Sequence, residues 1–167
     1  YQIYQRIRQS LLYRTMSKQL ILKTASLTFL LTLIFSGISF GQNWQSDFQQ
    51  SLQTAQAEDK PVILVFSGSD WCAPCMKLEN EIWNSDGFKI YSAKHFVLYK
   101  ADFPRQKKNQ PDSEQVKANK ELAEKYNQKG FFPLVVVLDE NGKVLGETGY
   151  KKLSPNEYIK HLETFVN

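Results

Sequence analysis

Cys72 and Cys75, the two cysteines of a 167-residue chain, stand with two residues between them in SGSDWCAPCMKLE (residues 67–79). A pair at this spacing can supply half of a metal site, close a small structural loop, sit as two reduced bystanders, or act as a reversible dithiol. A structural zinc site takes four ligands, most often a second cysteine pair or two histidines. There is no second pair, and His95 and His161 lie 66 residues apart, so no metal is expected. A structural bridge across two intervening residues would constrain the unfolded chain little. The dithiol has positive support from its setting. Cys72 follows an apolar strand and a tight turn, which puts it at the N-terminus of a helix. There the unpaired N–H groups and the helix dipole stabilise a thiolate. Cys72 is then the attacking thiol, exposed on the turn, while Cys75, one helical turn further in and buried, resolves a mixed disulfide. Pro74 lies in the first turn, where its missing N–H costs nothing. Trp71 would shield the thiolate on one side and offer a substrate an apolar surface.

Such a pair needs a strand before it and a helix behind it, and the surrounding sequence supplies both. VILVF (62–66) is uninterrupted apolar, as a strand buried on both faces is, and the helix opened by the cysteines runs to about Asn84. Upstream, apolar residues at 44, 48, 52 and 55 have helical spacing, predicting a helix over 44–57. HFVLYKAD (95–102) reads as a strand, 104–115 as a mobile polar connection, and 116–126 as a helix with Val116, Leu122, Ala123 and Tyr126 inward. LVVVLD (134–139) is a buried strand. Asn141-Gly142 is a two-residue hairpin turn leading into KVLGETG (143–149). Ser154-Pro155-Asn156-Glu157 is a capping box with proline at the first helical position, opening a terminal helix. Strands alternating with helices and ending in an antiparallel hairpin predict an α/β fold, a central mixed sheet flanked by helices.

The N-terminal part reads differently. Met16 begins MSKQLILKTASLTFLLTLIFSGISFGQ, with Lys18 and Lys23 as a positive region, a mostly apolar run from Ala25 to Ile38, and small residues before Gln42. This is the layout of a secretory signal peptide over 16–41, with 1–15 as an over-extended N-terminus and 42–167 as the working domain. The apolar run is shorter than the roughly 20 residues that a spanning helix needs; an uncleaved anchor is the alternative. The net charge of +4 is a property of this leader. All five basic residues before Gln42 are unopposed, and residues 42–167 hold 16 basic and 17 acidic side chains, a net charge of −1. A nucleic-acid partner therefore loses its main support. A periplasmic or secreted location is expected, and in such an oxidising compartment two bystander thiols become a poorer reading.

Trp71-Cys72-Ala73-Pro74-Cys75, between a buried strand and a Lys-Leu-Glu helix, resembles the active site of the thioredoxin superfamily, over essentially all of 44–167. It is especially similar to secreted thioredoxin-like proteins and to the C-terminal domain of the periplasmic electron-transporting thiol:disulfide interchange reductase. The resemblance implies a thioredoxin-like fold, a protein-disulfide reductase or interchange activity, no cofactor, and disulfide-containing exported proteins as substrates. It also implies a cis proline facing the cysteines before a buried strand, a place that Phe132-Pro133 fits, with the backbone of Phe132 pairing with the substrate peptide. Many members carry a buried acid six residues before the first cysteine; here that residue is Phe66. A second acid of the reductase domain, four residues after the second cysteine, is kept as Glu79. Glu79 is therefore a candidate proton acceptor for Cys75, or else a solvated helix residue. Asp70 would raise the Cys72 pKa slightly by like-charge repulsion, and otherwise reads as a turn residue.

Ala-Pro between the cysteines is close to the Gly-Pro of reducing members and lacks the histidine of oxidising ones. A dithiol reductant or interchange protein, kept reduced by a membrane electron donor, is the reading preferred. A disulfide oxidant or isomerase is the second. A third is a non-enzymatic peptide-binding module using the groove around Trp71, Phe131 and Phe132.

Overall fold

Strand β2 (Val62–Ser67) is buried at every position and is the middle strand of a five-stranded sheet ordered β1-β3-β2-β4-β5. A computed structural model describes residues 44–166; the readings of 1–15 and 16–41 lie outside the described residues. The sheet is mixed. β1 (Trp44–Gln45), β3 (Val97–Asp102) and β2 are parallel, and β4 (Leu134–Leu138) and β5 (Val144–Thr148) continue antiparallel. Because side chains alternate across a strand, β2 feeds two cores. Val62, Leu64 and Phe66 pack with Tyr99, Val136 and the helix residues Phe48 and Tyr126. Ile63 and Val65 pack on the other face with Leu78, Trp83, Phe88 and Leu162. Helices α1 (Phe48–Glu58) and α4 (Ser113–Tyr126) cover the first face. Helices α2 (Ala73–Leu78), α3 (Asp86–His95) and α5 (Pro155–Glu163) cover the second.

Several boundaries differ from the sequence reading, each for a local reason. Trp44 and Gln45 form a strand beside Leu98 and Tyr99, and the helix starts only at Phe48. Asp47 stops it there, accepting the Gln50 N–H at 2.7 Å, the N-cap geometry that short polar residues favour. Helix α3 has no counterpart in the sequence reading, and it takes in His95, which was expected to open a strand. Its buried positions are Phe88 and Ser92, so a serine hides half of the apolar stripe. Helix α4 starts at Ser113, capped by the Asp112 carboxylate, rather than at Val116. A 3-10 turn (Lys107–Asn109) gives the 104–115 segment ordered structure. The β4–β5 connection runs over residues 139–143, and the turn inside its closing hydrogen bond holds three residues, not two. The Asp139 N–H donates to the Lys143 carbonyl at 2.9 Å, and Gly142 takes a φ of 78°, as three-residue hairpins with a left-handed last residue do. The capping box is present as read: Ser154 Oγ accepts the Glu157 N–H, and Glu157 accepts the Ser154 N–H.

Behind α2 the helix continues as a π-helical turn (Glu79–Trp83), which delivers Trp83 into the second core. Trp83 is 1 % exposed and meets the rings of Trp44, Phe88 and Tyr158. Truncating a large buried aromatic removes its transfer energy and leaves a cavity. Trp83→Ala should therefore lower unfolding stability by about 3–5 kcal/mol, seen as a shift of the urea midpoint in chemical denaturation.

Candidate active site

The turn after β2 carries the chain from the sheet into α2, and the cysteines sit at that junction. Cys72 is the N-cap of α2 and is disulfide-bonded to Cys75, with an S–S distance of 2.06 Å and Cα atoms 5.2 Å apart. The Cys75 N–H donates to Cys72 Sγ at 3.2 Å, so the helix mouth already directs a donor at that sulfur. Cys72 was expected to be exposed, but it is as buried as Cys75, each 4 % exposed. As the N-cap, Cys72 turns its sulfur toward the helix mouth and its partner rather than toward solvent.

Phe132-Pro133 is a cis peptide immediately before β4. Pro74, Phe132, Pro133, Gly149 and Tyr150 line an open groove of about 600 Å³, with Phe131 57 % exposed on it. At Gly149 the backbone passes close to the proline, and a Cβ would make a tight contact of 3.1 Å with the Pro133 carbonyl oxygen. The loop before the proline is fixed by a residue that sequence reasoning missed. Buried Asn127 accepts the Phe131 N–H and donates to the Phe131 carbonyl, both at 2.9 Å. An asparagine at the end of a helix carries no sequence signal that distinguishes such a clamp from an ordinary cap.

Trp71 is held on all sides. Its Nε1–H donates to the Phe103 carbonyl at 2.7 Å. Its ring meets Phe132 edge-on with centroids 5.3 Å apart, and the Arg105 guanidinium lies 4.0 Å above it. Gly68 makes this packing feasible, since a Cβ there would lie 2.3 Å from the indole. Asp70 is more than the turn residue it was read as. Its carboxylate accepts the N–H groups of Arg105 and Gln106 at 2.8 and 2.9 Å and the Asn109 side-chain amide at 2.9 Å. The backbone hydrogen bond from Arg105 is the main cause holding the Asp70 carboxyl below its ordinary value. One turn residue earlier, Ser69 donates its N–H and hydroxyl to the Asp102 carboxylate at 2.9 and 2.5 Å. The active-site turn and the 102–110 segment are thus sewn together.

Phe66 is fully buried beneath the site and stacks on Phe103 with centroids 6.5 Å apart, so the interior here is apolar. Glu79 lies on the other side. It accepts from Lys100 Nζ at 2.6 Å, and Glu79, Lys100 and Cys75 all line one cavity of about 420 Å³. Lys100 was not singled out in the sequence, since a lysine in a half-buried strand gives no sign of its partner. The two histidines stay apart from this cluster of contacts. His95 stacks on Tyr91, and His161 Nε2 is 2.9 Å from Thr148 Oγ1. Among the described residues no three histidine, cysteine or acidic side chains gather in a way that could hold a metal ion.

A thioredoxin-like domain family matches residues 48–165. The chain belongs to that family. Among its thioredoxin-like relatives, the disulfide bond reductase DsbH of Chlamydia pneumoniae is 35 % identical over 121 residues, covering 72 % of this chain and 70 % of that protein. The thiol:disulfide interchange protein DsbD of Campylobacter jejuni is 31 % identical over 133 residues, which cover 79 % of this chain but only 21 % of DsbD. The solved structure of a DsbH oxidoreductase aligns at a TM-score of 0.70 and 30 % identity, covering 75 % of this chain and 85 % of that one.

The Asp70 latch makes a pH-dependent prediction. A carboxyl with a lowered folded pKa stabilises the latched loop above its ordinary pKa, and that contribution fades as pH falls through the lower folded value. Hydrogen exchange of the Arg105 and Gln106 amides should accelerate in Asp70→Ala at neutral pH. In the unsubstituted chain, after correction for intrinsic exchange rates, it should accelerate only below the ordinary carboxylate range.

Proposed function

We propose that this thiol:disulfide oxidoreductase of the Dsb type works as a dithiol reductant or interchange protein for disulfides of exported proteins. The observation that carries the reading is the Cys72–Cys75 disulfide at the mouth of α2, with a backbone N–H already aimed at Cys72 Sγ. In the reduced protein the same N–H and the helix terminus would favour the Cys72 thiolate. Cys72 attacks a target disulfide and forms a mixed disulfide, releasing one target thiolate. Cys75 then attacks Cys72 Sγ, releasing the second target thiolate and leaving the internal disulfide. Two electrons pass from the dithiol to the target. Pro133 and the Phe132 backbone hold the target chain across the groove, and Phe131 and Trp71 offer it apolar surface. The leader read over 16–41 supports export, and a membrane electron donor would return the pair to the dithiol.

Ala73-Pro74 supports the reducing direction, as does the name of the disulfide bond reductase among the relatives. Potentials in this fold run from about −270 mV for reductants to about −120 mV for strong oxidants. The reduction potential of the Cys72–Cys75 couple, measured against glutathione, should fall nearer the first value; one nearer the second favours the oxidant reading. Reduction of insulin by dithiothreitol should be accelerated by the chain and not by Cys72→Ser. Acceleration surviving in that variant refutes the dithiol mechanism.

Glu79 is the proton acceptor assigned to Cys75 in this scheme. It shares a cavity with the resolving cysteine and is kept oriented by Lys100. Glu79→Gln keeps the shape but loses the base, and should slow resolution of the mixed disulfide by at least about tenfold. An unchanged rate in rapid-mixing experiments makes Glu79 a partner of Lys100 and nothing more.

A further inference from the structure

Arg105, Lys107 and Lys108 lie in one short stretch with no acidic residue between Asp102 and Asp112, and all three are exposed. Their placement is fixed by the latch. Asp70 binds the stretch through the backbone N–H groups of Arg105 and Gln106, not through the Arg105 guanidinium. The guanidinium instead rests on one face of the Trp71 ring while the residue stays exposed, so its charge remains available at the surface. No ion pair occupies Arg105, Lys107 or Lys108 among the described residues. Trp71 adjoins Cys72 in sequence and touches Phe132, the residue before the cis proline. A chain lying across Cys72 and Pro133 therefore has the groove on one side and this cationic shelf on the other.

We propose that Arg105, with Lys107 and Lys108, is a specificity determinant that favours target disulfides flanked by acidic residues. The inference rests on the thiol:disulfide exchange proposed above and adds the chemistry of the preferred target. The shelf is exposed, so each charge contact is a weak one and the preference modest. Contacts of this kind correspond to roughly a two- to fivefold difference in rate, and they are screened as salt rises.

The test uses the reduced full chain and two peptide disulfides that differ only in three glutamates or three lysines beside the bridged cysteine. Wild type should attack the glutamate peptide faster by roughly two- to fivefold at low salt, and the ratio should fall toward one at high salt. Arg105→Glu should lower or invert the ratio, and it keeps the backbone N–H that the Asp70 latch uses. The double variant Lys107→Glu/Lys108→Glu should move the ratio in the same direction. Equal rates on both peptides in wild type overturn the inference, as does a preference that persists in both variants. If wild type exchanges with neither peptide, the exchange reading itself fails and the inference falls with it.

Discussion

Burial of β2 on both faces is the constraint on which the site depends. A strand with no solvent-facing side must sit in the middle of the sheet, and its chain can emerge only at an end. Ser67 is opposite Asp102 in parallel β3, and Phe66 is opposite Leu134 in antiparallel β4. Those two pairings bring three separate segments to one edge of the sheet. They are the cysteine turn after Ser67, the Phe103–Asn109 stretch after Asp102, and the Phe132-Pro133 peptide before Leu134. The disulfide itself is closed within four residues, but the register of three strands brings the other parts of the active site to it.

What the register brings together, hydrogen bonds and ring contacts then fix. Asp102 and Asp70 tie the cysteine turn to the stretch after β3, and Trp71 is locked between Gly68 and Arg105. Phe132 touches both Trp71 and Phe103, so the proline loop is braced against the same cluster. Asn127 braces it from the other side. The two flanks of the disulfide differ chemically. Beneath it lies the apolar contact of Phe66 with Phe103, and beside Cys75 lies the charged pair of Glu79 and Lys100. Glu79, the acceptor proposed for a proton leaving Cys75, lies on the second flank, and the Phe66–Phe103 contact offers none.

The strands with continuous apolar runs, the cysteine pair and the terminal capping box were all legible in the sequence, each from a strong local signal. The cis peptide at Phe132-Pro133 had no such signal and followed only from the resemblance to thioredoxin-like proteins. Periodicity misplaced the start of α1, because Trp44 has the spacing of a helix residue but pairs with β3. It missed α3, whose inward face includes Ser92. The roles of Asp70, Asn127, Lys100 and Arg105 were not legible at all. Each acts through a partner more than three residues away, and a polar residue in a loop or on an edge looks the same whether or not that partner exists. The burial of Cys72 was missed for a related reason, since its cause is the direction of the sulfur and not the residue's place on a turn.

The central claim is that Cys72 is the sulfur that meets the target. The most direct measurement is to express Cys75→Ala and Cys72→Ala separately, each as the full chain in its native cell. Disulfide-linked adducts would then be identified by mass spectrometry after alkylation of free thiols. Cys75→Ala should carry exported proteins bound through Cys72, while Cys72→Ala should carry few or none. Adducts of equal yield on both variants, or none on Cys75→Ala, would contradict the account.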